Sequence, residues 1–199
     1  MPTETEFLNG ALFKIGAARI AGIDDGSMNA NYCKTLYPPM LDAALRKHHW
    51  NFATGRASLT PSATPPAFGW STQYPLPDDW LKIREFNGMA VNTEGMTLWE
   101  GQMISAYVIE GRFLLTNYSQ AFIVYTRRVT NPTLWDSLFY QFMQTLMASE
   151  LASAIPKDTK KSSDLLEQAM MVWYPAALAA DGQEGTVFPT TSDSLTWGR

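Results

Sequence analysis

The sequence predicts an α+β fold: a four-helix base built from N- and C-terminal helices, an inserted small antiparallel β region and an extended C-terminal arm. Three observations predict it. Apolar side chains recur three and four residues apart at both ends of the 199-residue chain, which is the helical period. Between residues 50 and 129 the texture changes, and Pro61, Pro65, Pro66, Pro75 and Pro77 punctuate short β-like runs. From Asp181 onward, Gly182, Gly185, Pro189 and many Thr and Ser argue against regular structure. The organisation expected is a single domain, 1–180, in two lobes. The helical lobe takes residues 1–50 and 131–180, the β lobe takes 51–130, and 181–199 form the arm.

Each element has its own signal. Phe7, Leu8, Ala11, Leu12 and Ile15 draw one apolar face of a first helix, and Gly16 ends it because glycine tolerates the left-handed conformation. Asp24-Asp25-Gly26 reads as a turn, and Ser27 as the N-cap of a second helix with Ala30, Cys33, Tyr37, Met40, Leu41, Ala44 and Leu45 inward. That helix reaches about His48, and Pro38-Pro39 predict a kink or short break near Tyr37. In the β region, residues 80–86 and 121–129 read as strands. Residues 104–109 and 112–116 read as a hairpin turning at Glu110-Gly111, within a single sheet of four to six strands.

Asn131-Pro132-Thr133 then opens a long helix, with Thr133 and Asp136 as a capping box with a shortened acid. Trp135, Leu138, Phe139, Tyr140, Phe142, Met143, Leu146, Met147 and Leu151 cover more than half its circumference, so it is expected to stand as the central post of its lobe. Pro156 ends it. Glu150 falls on the apolar arc and is expected to be a buried structural carboxylate paired with Arg19, Arg46 or Arg56, since unpaired burial of a charge is costly. A last helix over 162–180 turns Leu165, Leu166, Ala169, Trp173 and Ala177 inward and kinks at Pro175.

Composition narrows the function. With 46% hydrophobic and 17% charged residues the chain is globular, and its net charge of -4 offers no basic stripe for nucleic acid. One cysteine, Cys33, permits no intrachain disulfide and reads as a small buried packer. The N-terminus carries Glu4 and Glu6 in place of a basic, apolar leader, and no apolar run approaches the ~20 residues of a membrane span. No glycine-rich phosphate loop, zinc-ligand spacing or nucleophile elbow is present. His48 and His49 are adjacent, so on a helix they diverge by ~100° and do not form a metal pair. The chain therefore offers no catalytic set, no metal site and no cofactor site. Glycan hydrolysis is the one chemistry with raw material, since it needs two carboxylates ~5–9.5 Å apart. Asp78, Asp79, Glu94, Glu100 and Glu110 lie in the β region, although a turn after Pro77 explains the first two.

The remaining signal is a set of ordered segments. Leu8-Asn9-Gly10-Ala11-Leu12-Phe13-Lys14-Ile15-Gly16 opens the chain, followed by Ile23-Asp24-Asp25-Gly26-Ser27. Tyr37-Pro38 precedes Leu45-Arg46-Lys47-His48-His49-Trp50-Asn51-Phe52-Ala53. Pro66-Ala67-Phe68-Gly69-Trp70 and Tyr74-Pro75-Leu76-Pro77-Asp78-Asp79-Trp80-Leu81 come next, then Leu146-Met147-Ala148-Ser149-Glu150-Leu151-Ala152. In order and spacing these resemble the head-to-tail adaptors of short-tailed bacteriophages, the tail tubular protein A family, over about residues 5–180. One departure is His49 before Trp50, where the family pattern has proline. The resemblance implies a structural, non-enzymatic protein of the virion tail, assembled in the host cytoplasm, with no membrane anchor. It implies a homo-oligomeric ring of twelve copies between the portal protein and the tail nozzle protein, with DNA passing through without specific binding. The arm residues Phe188, Leu195, Trp197 and Arg199 are then expected to dock on the portal, and Trp70, Tyr74 and Trp99 to make subunit or nozzle contacts. A tail-associated glycan or peptidoglycan hydrolase using paired carboxylates is the alternative, since glycan hydrolysis is attributed to some members of the wider family.

Overall fold

The computed structural model describes residues 3–90, 96–99 and 102–184. Helix α1 runs Glu4–Ile15, with Thr3 and Glu6 forming a reciprocal capping box and Gly16 closing it at φ 74°. Asp25 organises the following turn by accepting from the backbone N–H of Ala21 and Ser27, and Ser27 caps helix α2, Met28–Lys47. The expected inward faces of both helices are buried, Met40 partly, and Cys33 is fully enclosed.

The break near Tyr37 does not occur. Helix α2 continues through Pro38 and Pro39. Both prolines lie on its exposed face, together with Lys34 and Thr35, whose carbonyls lose their helical donors. Those carbonyls are left on the solvent side, where water can satisfy them.

A short 3₁₀ turn, Asn51–Ala53, leads into nine strands among the described residues. They are β1 Thr54–Leu59, β2 Thr72–Pro75, β3 Trp80–Phe86, β4 Met89–Ala90, β5 Met96–Trp99, β6 Gln102–Ser105, β7 Val108–Glu110, β8 Phe113–Thr116 and β9 Ala121–Arg127. The single sheet expected from the sequence is instead three antiparallel sheets, ordered β1-β9-β3-β4, β2-β8-β7 and β5-β6. The turn at Glu110-Gly111 is where the sequence puts it, with Gly111 at φ 59°. Ile104, however, pairs with Thr97 in β5–β6, so the hairpin is shorter than expected. The sequence reading merged two hairpins because their apolar runs abut.

Residues 132–134 form a separate 3₁₀ turn capped by Asn131, and helix α3 starts at Ser137 and runs to Ala154. Its N-cap is Asp136, whose carboxylate accepts from the N–H of Leu138 and Phe139, so the Thr133 box is not the start. The direct acid cap outcompetes the more distant hydroxyl. Helix α3 packs against α1, α2 and the last helical run, which makes it the central post.

That last run comprises α4, Thr159–Gln168, a π turn, Ala169–Trp173, and α5, Tyr174–Glu184. The wide turn lies directly before Pro175, which has no N–H and whose ring collides with the carbonyl four residues back in a regular helix. Helix α5 extends past residue 180, so 181–184 belong to the helical base and not to the arm.

Two cores result. One gathers α1–α5 and takes in Ala53, Leu81 and Val129 from the β region. The other lies among the sheets around Tyr74, Phe86, Tyr107, Leu114 and Ile123.

Candidate functional site

The junction between the cores is built from the block that follows α2. Trp50 is fully buried, donates through Nε1 to the Ala44 carbonyl at 3.0 Å, and meets Phe139 edge-on at 4.8 Å between centroids. Phe52, Tyr174 and His48 complete its ring contacts. The tryptophan thus anchors the start of the β lobe in the helical core.

Asp181 locks the same segment from the other side. Its side chain is 5% exposed, accepts the Asn51 backbone N–H at 2.7 Å and lies 3.2 Å from His48 Nε2. The Asn51 amide in turn donates to the Asp181 carbonyl at 2.7 Å. From the β side, Arg84 of β3 donates to the Trp50 carbonyl at 2.9 Å, to Thr54 Oγ1 at 2.6 Å and to Thr126 Oγ1 at 3.0 Å. Burial pushes the Arg84 guanidinium below its ordinary pKa, an effect opposed by the charges of Asp181 and Glu85. Partial burial, then the positive charges of Arg84, Lys82 and His48, push His49 below the usual histidine value.

Further ties run alongside. Arg46 donates to the Leu81 carbonyl, Tyr37 donates to the Thr130 carbonyl, and Arg128 forms a two-point pair with Asp42. Arg84, Arg46, Tyr37 and Arg128 are thereby spent on joining the two lobes.

The described carboxylates considered for hydrolysis either have a partner or lie on the surface. Asp78 is exposed and pairs with Arg112 at 2.8 Å. Asp79 accepts the Tyr125 hydroxyl at 3.0 Å, and its backbone carbonyl accepts from Arg128. Glu110 is exposed at the end of β7. Glu94 and Glu100 lie outside the described residues.

Two expectations are corrected. Glu150 is exposed, not buried: it and Ser153, three residues apart, share an exposed strip on the last turns of α3. Among the described residues the buried structural carboxylate is Asp181. Tyr74 cannot make a subunit contact, because it is fully buried in the β core and its hydroxyl donates to the Tyr118 carbonyl at 3.1 Å. Trp70 is half-buried in the loop before β2, and Trp99 ends β5 opposite Gln102. Phe188, Leu195, Trp197 and Arg199 lie outside the described residues.

The surface carries what the sequence reading missed. Phe68 is 88% exposed, Phe13 81% and Met171 73%, and Met28, Phe122, Leu134, Leu166 and Val172 are exposed as well. Phe13 and Met28 flank the α1–α2 connection, Met171 and Val172 ride the π turn, and Phe68 and Phe122 belong to the β lobe. No helix among the described residues is long and apolar enough to cross a membrane. No protein-family model matches the chain, and no curated protein matches it significantly.

Proposed function

We propose that the chain is a structural head-to-tail adaptor of a short-tailed phage virion, a ring subunit between portal and tail nozzle. The observation that carries this reading is the set of large apolar side chains left exposed on both lobes of a chain whose two cores are already filled. Large apolar side chains left in solvent are available for contact with other proteins.

A ring needs two different patches per subunit that meet around a closed circle, and apolar material on both lobes is suited to that. The lobes are fastened through Trp50, Asp181 and Arg84, so a load on one is carried to the other. A net charge of -4 per copy, multiplied around a ring, disfavours phosphate contacts and lets DNA slide. In this reading the segment 185–199 docks on the portal.

The test mixes the purified protein with the portal and nozzle proteins of its phage and reads the mass of the complexes. Stable complexes with both support the adaptor. Turnover of peptidoglycan by the purified chain, lost in an Asp78→Asn, Asp79→Asn variant, would replace the adaptor with the hydrolase.

A further inference from the structure

A groove of about 500 Å³ opens on the helical lobe between α2, α3 and the π turn. Ala43, Ala44, Phe142, Leu146 and Met170 line its apolar part, and Arg46 and Lys47 stand at its rim. Both cations are held in place. Arg46 donates to the Leu81 carbonyl, and the Lys47 ammonium lies 5.3 Å from the centre of the Tyr174 ring.

An apolar ridge lies directly beside this groove. Met171 follows the groove-lining Met170 by one residue and is 73% exposed, and Val172 and Leu166 are exposed along the same helical run. Glu167, one turn before Met171, and Asp164 are exposed with them. The charges are segregated between the two features. Residues 162–184 contain no lysine or arginine, and residues 43–50 contain no acid.

We propose that this face pairs two copies of the chain, with the Met171 ridge of each entering the groove of the other. Three observations select a second copy as the occupant. Ridge and groove adjoin on one face, which is the condition for a self-complementary two-fold contact in which both insertions are made at once. Charge agrees, because a ridge seated in the partner's groove brings Glu167 and Asp164 toward the rim of Arg46 and Lys47. Side-chain type agrees as well, since methionine is unbranched and polarisable and fills irregular apolar gaps. A ring uses two different patches per subunit, so this two-fold pairing is separate from the ring contacts and does not rest on the adaptor reading.

The test is the mass of the full chain in solution over a concentration series, by analytical ultracentrifugation without portal or nozzle. The expected result is a monomer–dimer equilibrium that stops at two copies and weakens as salt is added. Glu167→Lys and Lys47→Glu, each at an exposed position, are expected singly to weaken pairing at least about tenfold, because each change enters both symmetric contacts. The two substitutions combined in one chain restore it, since each reversed charge again meets its opposite. A chain that had lost its fold would not be rescued in this way. Met171→Asp removes pairing in either background. A monomer at every concentration, assembly beyond two copies, single reversals that leave pairing unchanged, or a double reversal that fails to restore it would each overturn the proposal. None of these results bears on whether the portal binds the chain, so the two readings fail separately.

Discussion

At the scale of residues, Asp181 is the hinge pin of the account. Among the described residues it is the one buried acid, and it holds the backbone of Asn51 and the ring of His48 together. Asp181→Ala leaves the Asn51 N–H without its acceptor and is expected to cost about 1–3 kcal/mol in urea unfolding. Glu150→Gln, on the exposed strip, is expected to change stability by no more than ~0.5 kcal/mol. Equal effects for the two would reverse the assignment. Gly55→Ala tests the close approach of β1 to the Tyr125 ring, where a new Cβ would fall 2.6 Å from a ring carbon; a loss of about 1–3 kcal/mol is expected.

The pH dependence has a definite sign. The pKa of His49 is lower folded than unfolded, so the unfolded chain binds its proton first. Its contribution is complete above the ordinary histidine value near ~6.5 and is lost as the pH falls through the lower folded value. The stability of His49→Gln is expected to fall less than the parent's as the pH drops below about 6.5. Asp181 was legible in one respect, since Ala169, Trp173, Ala177 and Asp181 recur every four residues on one helical face. The glycine that follows it concealed the signal, because a glycine there reads as a helix stop.

At the scale of elements, the helices of the base and the strands β3 and β9 follow from periodicity and caps, which are local properties. The failures came where a local rule met tertiary context. Two prolines should break α2, yet they sit where their freed carbonyls face water. Pro38→Ala is expected to raise stability, by up to ~3 kcal/mol on propensity alone, and a fall in the melting temperature would show that the helix path depends on the ring. The division of the β lobe into three sheets was not legible, because strand pairing joins residues far apart in sequence and short apolar runs carry no partner information. The end of α5 supplies the sharper experiment. Removal of residues 185–199 keeps Asp181 and is expected to leave the melting temperature close to the parent, whereas removal from residue 181 lowers it, by calorimetry, through loss of the Asn51 and His48 contacts.

At the scale of the whole molecule, a two-core chain with a fastened junction and apolar side chains on both lobes is suited to bearing load between neighbours. The exposed phenylalanines and methionines were invisible to periodicity, since hydrophobic residues off the core face look like noise until the neighbours are known. Glycan chemistry has weaker material here, because Asp78 and Asp79 are engaged with Arg112 and Tyr125. The most direct measurement of the proposed adaptor role is the mass of the purified chain alone and after addition of the portal ring of a short-tailed phage, repeated with residues 185–199 removed. The account predicts a defined multi-copy complex on the portal for the intact chain and none for the shortened one. A chain that stays a monomer beside the portal, or a shortened chain that joins it equally well, would contradict the account.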